Sequence, residues 1–188
     1  MELFIIISVL LLLFTPVGGT LFQLITAAAV YAAAAFSSIF SKTVRKDMAG
    51  IRFNPFNRNE ENTLKSKKIS FYRGSPVIRF KGRSGAFGII FLDINEDAQI
   101  LRHESGHNRQ LMMMGLLTFA ITVAIPSIFT LGPYSRQGRN GYYHAPWEAM
   151  ADVLGGADHE QTQKTKKEAR QYYLLGHLII PSFFKWKK

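Results

Sequence analysis

The chain of 188 residues contains no cysteine. This absence excludes a disulfide framework, a cysteine-ligated zinc site and a thiol nucleophile, so a metal site must use histidine and carboxylate ligands. Acidic residues are scarce, with 13 against 23 Lys and Arg, which gives a net charge of +10. Charged residues make up only 19% and hydrophobic residues 47% of the chain. This balance excludes intrinsic disorder and favours one compact domain with an appendage.

The apolar residues are concentrated in two blocks near the N-terminus. Residues 3–14 and 21–40 carry no charge, and a TPVGGT sequence separates them. The second block would form a helix about 30 Å long, enough to span a bilayer. Residues 1–41 are therefore predicted to be a membrane segment. A cleaved signal peptide, one long tilted helix and a hairpin turning at residues 16–19 stay open; the acidic Glu2 argues against the signal peptide.

A basic segment follows the apolar blocks. Residues 42–83 contain twelve Lys and Arg but only three acidic residues. A basic flank marks the cytoplasmic side of a membrane, so we expect a juxtamembrane segment that lies on anionic lipid. No recognition motif for nucleic acid accompanies the charge, so no specific nucleic acid is expected as a partner.

The remainder predicts an α+β fold that is mainly helical. Strands are expected over 69–80 and 86–92, and a helix from about 96 to 114. Pro126 is expected to kink or end the apolar stretch that follows. Another helix should begin at Pro146 and end at a Gly-Gly pair, with a charged helix over about 158–175 and an interfacial tail after it. We take residues 84–188 as one domain, with a short β-sheet before its first helix.

The sequence HESGH at 103–107 is the candidate metal-binding and catalytic motif. On a helix, His103 and His107 share a face and can bind one metal ion, and Glu104 projects nearby as a general base for a water molecule. Downstream, Glu148 and Asp152 again have a spacing of four residues on a predicted helix. Glu148 can supply a third ligand, and Asp152 can accept the free ring N–H of a ligand histidine. Three protein ligands and an open position are typical of catalytic zinc.

HESGH followed by ExxxD resembles the gluzincin, or thermolysin-type, zinc metallopeptidases. The longer strings HESGHNRQ, AIPS and PWEAMADVLGG resemble a group of small, largely uncharacterised bacterial zincin-like proteins. The resemblance covers about residues 84–157. It implies zinc on His103, His107 and Glu148, Glu104 as the catalytic base, and Asp152 as support for a ligand histidine. A bacterial inner-membrane location, with the site facing the cytoplasm, is expected.

One part of the gluzincin pattern has no clear equivalent, namely the His and Tyr that stabilise the oxyanion. Tyr143 and His144, beside Glu148, are the candidates together with Tyr142. The histidines at 159 and 177 are expected at the surface or the membrane interface, without a metal role. Trp147 is expected to be a packing anchor.

The apolar stretch at 111–131 is long enough to cross a membrane. A straight crossing would place His103 and Glu148 on opposite sides, about 30 Å apart, whereas zinc ligands lie about 2 Å from the metal. We therefore expect a turn near Gly115 that keeps both residues on one side.

The sequence predicts a zinc metallopeptidase of the membrane face that acts on a peptide or protein substrate, with membrane lipid as its other partner. Three alternatives to this prediction stay open: an inactive zinc-binding scaffold, a structural membrane protein in which HExxH occurs by chance, and a toxin-type effector.

Overall fold

The computed structural model describes residues 2–49, 67–129, 143 and 145–159. Within these residues the fold is α+β and mostly helical. The N-terminal helices are α1 (Glu2–Phe14), α2 (Pro16–Phe40) and α3 (Lys42–Met48). Four strands follow: β1 (Ile69–Tyr72), β2 (Ser75–Phe80), β3 (Gly85–Phe87) and β4 (Ile89–Asp93). The last helices are α4 (Ala98–Met114), α5 (Leu116–Phe129) and α6 (Pro146–Gly155).

The strands form one sheet in the order β1-β2-β4-β3. The pairs β1–β2 and β3–β4 are antiparallel, whereas β2 and β4 are parallel. The inner face of the sheet packs on the first half of α4 through a buried cluster: Tyr72, Val77, Ile90, Leu92, Ile100, Leu101 and Tyr143. Strands from the predicted juxtamembrane segment and strands from the domain after it therefore share one sheet.

The predicted strand at 86–92 is in fact two strands. Gly88 has a φ of 74°, a left-handed conformation that glycine adopts without strain, and the chain reverses there between β3 and β4. The amide of Gly88 also donates to the side-chain oxygen of Asn108 on α4, at 2.9 Å. The outcome is a narrow edge hairpin held against α4.

Helix α4 ends at Gly115, whose φ of 81° is again left-handed, and α5 begins directly after it. Pro126 does not end α5, contrary to one expectation. Proline has no amide hydrogen, so position 126 cannot donate the usual helical hydrogen bond to a carbonyl one turn earlier. That carbonyl belongs to a π-helical turn, Ala120–Ala124, where the regular bonding pattern is already altered. The helix therefore continues to Phe129.

A second buried cluster joins the end of α4 to α5 and α6. It comprises Leu111, Met114, Phe119, Val123, Ala145, Trp147, Ala149 and Met150. Trp147 is thus a buried packing residue, as expected. The two clusters lie on either side of the residues that the HESGH motif places on α4.

Helix α2 is the one described helix long and apolar enough to cross a membrane by length and composition. A break at Thr15, whose backbone is extended, separates it from α1. Its buried residues are Gly18, Gly19, Gln23, Ala27 and Ala34, which form one face of small or amide side chains.

Candidate metal centre

Helix α4 carries both histidines of the motif on its buried face. Asp97 caps the helix by accepting hydrogen bonds from the amides of Gln99, at 2.8 Å, and Ile100, at 3.2 Å. His103 and His107 follow one turn apart, and each is at most 7% exposed. Their helical spacing puts their rings side by side, with centroids 4.7 Å apart.

Helix α6 brings the third residue to this face. It crosses α4 at very close range, because Gly106 lies against the backbone of Ala151 and Gly155 lies against the backbone of Arg102. A Cβ atom at either glycine would overlap a carbonyl oxygen of the facing helix. The glycine within HESGH therefore sets the distance at which Glu148 meets the two histidines.

Three ligand atoms converge at this crossing. The Nε2 atoms of His103 and His107 lie 3.1 Å apart, and the Oε2 atom of Glu148 lies 3.1 Å and 3.0 Å from them. Tetrahedral zinc with bonds of about 2.0–2.1 Å requires ligand atoms about 3.3 Å apart. Two histidines and a carboxylate in this geometry could hold a metal ion, and this ligand set suits zinc. His103 and His107 also line the adjacent cleft.

Hydrogen bonds fix the orientation of each ligand. Nδ1 of His103 donates to Oδ1 of Asp152, and Nδ1 of His107 donates to Oε1 of Gln110, both at 2.7 Å. The Gln110 amide nitrogen donates to a backbone carbonyl at 2.7 Å, so its oxygen must face His107. Both histidines thus hold a proton on Nδ1, which leaves Nε2 available for a metal ion.

The Glu148 carboxylate is held from the other side by α5. The hydroxyl of Ser127 donates to Oε1 of Glu148 at 2.6 Å, and this leaves Oε2 for the ligand position. The apolar stretch that contains α5 therefore returns to the site after the turn at Gly115. The turn at Gly115 therefore leaves His103, which precedes the apolar stretch, and Glu148, which follows it, together in one site.

The charges of the cluster are strongly coupled. Burial disfavours the charged form of His103, but hydrogen bonds to Asp152 and Glu148 outweigh it and raise its pKa to about 10. Burial likewise disfavours the ionised form of Asp152, but bonds from His103 and His159 lower its pKa to about 2. Burial opposes ionisation of Glu148 too, but the neighbouring histidines lower its pKa well below the ordinary range. Without a metal ion, protons on the histidines compensate these carboxylates.

Glu104 differs from the other acidic residues of the cluster. It is 7% exposed, and its Oε2 atom has no hydrogen-bond partner within the described part of the chain. Burial raises its pKa. The side chain lines a cleft of about 990 Å³ together with His103 and His107. A buried carboxyl with a raised pKa beside an open ligand position can accept and return a proton.

Two walls bound this cleft. One wall is the β3–β4 hairpin, including Phe87 and Phe91, and the other is α5, including Phe119 and Ile128. Tyr143 lies between them, with its ring edge-on to His103 at 4.9 Å. His144 and Tyr142, the other candidates for an oxyanion donor, lie outside the described residues.

His159 was expected at the surface or the membrane interface, and this prediction is wrong, because the side chain lies in the site. Its side chain is 14% exposed, and its Nδ1 donates to Oδ1 of Asp152 at 2.7 Å. Its ring stacks on Tyr143 with centroids 3.8 Å apart. The position follows from the turn at the end of α6, where Gly156 adopts a left-handed conformation and returns the chain toward the site. The glycine pair at 155–156, three residues before His159, is the signal that could have indicated this return.

No protein-family model matches the chain, and no curated protein and no solved structure shows significant similarity to it.

Proposed function

We propose that the protein is a zinc-dependent metallopeptidase that works at a membrane face. The observation that carries this proposal is the convergence of His103, His107 and Glu148 within 3.1 Å of one another, beside a Glu104 carboxyl that has a free oxygen in the cleft. The resemblance to gluzincins points to the same set of residues, with Asp152 in the supporting role. The cofactor would be Zn²⁺.

Zinc held by His103, His107 and Glu148 would act as a Lewis acid and would make water acidic enough to lose a proton near neutral pH. The chain supplies the proton acceptor, which is Oε2 of Glu104. The raised pKa of this carboxyl suits it to take a proton in one step and to deliver it to the leaving amine in the next. Asp152 and Gln110 hold the ligand rings still during these transfers.

The substrate in this proposal is a peptide or protein segment in extended conformation. Among the residues that the structure describes, β3 pairs only with β4, and its other edge has no strand partner beside the cleft. An extended chain can add to such an edge through main-chain hydrogen bonds. Phe87 and Phe91, which are 41% and 40% exposed, would contact apolar side chains of that segment.

Stabilisation of the oxyanion is assigned to Tyr143, which lies in the cleft beside His103. His144 remains a candidate for the same task on its sequence position alone. The membrane location rests on α2 and on the basic residues that follow it, which favour the cytoplasmic side of a bacterial inner membrane.

The test compares Glu104→Gln with the wild type and with Glu96→Gln, a matched change at another acidic residue of the cleft. We expect about one zinc per chain in all three proteins and loss of peptide hydrolysis, by a factor of 100 or more, in Glu104→Gln alone. His103→Ala and Glu148→Ala should lose the metal. Retained zinc with equal activity of Glu104→Gln would refute the catalytic assignment and favour the inactive zinc-binding scaffold. Absence of zinc in the wild type would refute the site itself.

A further inference from the structure

The outward face of α2 is apolar along its whole length. The helix contains no charged residue. Six large side chains on this face are 44–78% exposed: Val17, Leu21, Ile25, Phe36, Ile39 and Phe40. They recur at helical spacing and lie opposite the buried face of small residues. A stripe of this size is far more than a soluble monomer leaves in contact with water.

Two further helices extend this face. Eight large apolar side chains of α1 are 46–76% exposed: Leu3, Phe4, Ile5, Ile6, Ile7, Val9, Leu10 and Leu11. On α5, four more form a stripe at a spacing of three to four residues: Ile121, Ile125, Ile128 and Phe129. Helix α1 packs against both α2 and α5, so the three helices form one continuous apolar face. We refer to it below as the apolar face.

The inner side of α2 contacts the rest of the protein from one end to the other. Near its start, Gly19 lies against the backbone of Leu111 on α4. A turn later, Nε2 of Gln23 lies 3.2 Å from Oγ of Ser75 at the β1–β2 turn. Further along, Tyr31 meets Phe71 of β1, with ring centroids 6.0 Å apart. Beyond its end, Asp47 of α3 accepts a hydrogen bond from the amide of Lys68, at 3.0 Å.

This packing is incompatible with α2 crossing a bilayer. In a crossing helix centred near Ala28, Gln23 would lie about 8 Å from the bilayer midplane. The β1–β2 turn bonded to Gln23 would lie at the same depth, together with the charged side chain of Arg73 in that turn. Strand β1, an edge of the described sheet, would follow it into the hydrocarbon. Open sheet edges do not occur there, because their backbone groups have no partners.

We propose that α2 lies in the plane of the membrane and that the apolar face is buried in one leaflet. An interfacial helix normally has a polar face toward water. In α2 that side packs on the rest of the protein instead. Helix α1 is apolar apart from Glu2 and Ser8 but only about 20 Å long, so it can enter one leaflet and cannot cross both.

Charge complementarity supports the same orientation. Lys42, Arg45 and Lys46 lie on α3, directly after α2, and all three are exposed. In the plane of the membrane they reach the anionic headgroups of the same leaflet. Ile128 belongs both to the apolar face and to the lining of the cleft, so the mouth of the cleft opens beside the lipid. The proposal does not depend on a metal ion or on catalysis.

The absence of cysteine makes a direct test possible in the full-length protein. We would place a nitroxide spin label on Val17→Cys, Ala28→Cys and Ile39→Cys, each in otherwise wild-type protein in liposomes with anionic lipid. These exposed positions are eleven residues apart, three helical turns, and share one face. Asn95→Cys, an exposed position before α4, is the control for a label in water.

The measurement is the depth of each label, from the accessibility of molecular oxygen against that of a water-soluble nickel complex. An in-plane helix should give three equal depths, about 5–10 Å below the headgroups. A crossing helix should place the label at position 28 about 16 Å deeper than the other two, and this result would overturn the proposal. Three labels as accessible to nickel as the one at position 95 would overturn it as well. Unfolding curves that match the wild type establish that each labelled variant keeps its fold.

Discussion

The contact between Gly106 on α4 and the backbone of α6 makes a prediction in which two effects have opposite signs. Gly106→Ala adds one methyl group to a buried helix position. On a free helix this change stabilises by about 1 kcal/mol, because alanine loses less backbone freedom than glycine. Here the added Cβ overlaps the carbonyl oxygen and Cα of Ala151. Ordinary contact needs about 3.5 Å, so α4 and α6 must separate by about 1 Å or more.

Overpacking of this kind costs about 1–3 kcal/mol, and a backbone obstacle cannot rotate away as a side chain can. We therefore expect the free energy of unfolding of Gly106→Ala to fall by about 1–2 kcal/mol after the gain in helix propensity is included. The separation also moves Glu148, which α6 carries, away from the two histidines. Because zinc bonds tolerate about 0.2 Å, the affinity for zinc should fall at least about tenfold.

The assay is urea denaturation of the metal-free protein in detergent, followed by competition for zinc with a chromophoric chelator. Gly85→Ala is the control, because a Cβ there meets no atom within 4 Å. It should leave both the stability and the zinc affinity within error of the wild type, or raise the stability slightly. A Gly106→Ala protein that is more stable than the wild type would show that helix propensity alone governs the position. The close crossing of α4 and α6, and the register of Glu148 derived from it, would then be refuted.

Three further predictions concern the charges and hydrogen bonds of the site. In metal-free protein the pKa of His103 is raised to about 10, so the protonated ring stabilises the fold fully below about pH 6.5. The free energy of unfolding, measured by urea titration, should therefore fall as the pH rises from about 6.5 to about 10. For Asp152, with its pKa lowered to about 2, the same titration should show stability lost as the pH falls from about 4 to 2, and a flat profile in either range would contradict the coupling. Gln110→Ala should weaken zinc binding about 10–100-fold by releasing the ring of His107, whereas Gln99→Ala should not, and equal affinities by chelator competition would exclude that role.

Local spacing explains why part of the site was predictable. His103 and His107 are four residues apart, and the period of an α-helix places them on one face wherever the helix packs. The helix itself follows from a capping Asp97 and a terminal Gly115, and it runs from Ala98 to Met114 against a predicted 96–114. Pro146 and the glycine pair predicted α6 in the same way.

Features that depend on tertiary contacts were less accessible. The reversal at Gly88 divides an apolar run into two strands. The isolated glycine indicates an irregularity in the run, but periodicity over seven residues does not distinguish a reversal from a bulge within one buried strand. His159 reaches Asp152 only because the chain returns after Gly156, so its burial is a property of the turn and not of its neighbours in sequence. Composition identified α2 as apolar, but its orientation depends on which side chains it packs against. Tyr143 lies beside the site with its ring stacked on His159, a contact that the sequence did not indicate.

Three glycines, Gly106, Gly155 and Gly19, determine how closely the helices around the site approach one another. A ligand set drawn from two helices needs the helices at a defined distance, and side chains of ordinary size would hold α4 and α6 several ångströms too far apart for one zinc ion. Gly106 lies between the two histidines of HESGH, and Gly155 lies seven residues after Glu148, so each helix presents a glycine where the other presents backbone. Gly19 allows α2 the same close approach to α4 on another side. The apolar face and the metal cluster are therefore held on one helix, α4, by contacts that only glycine permits.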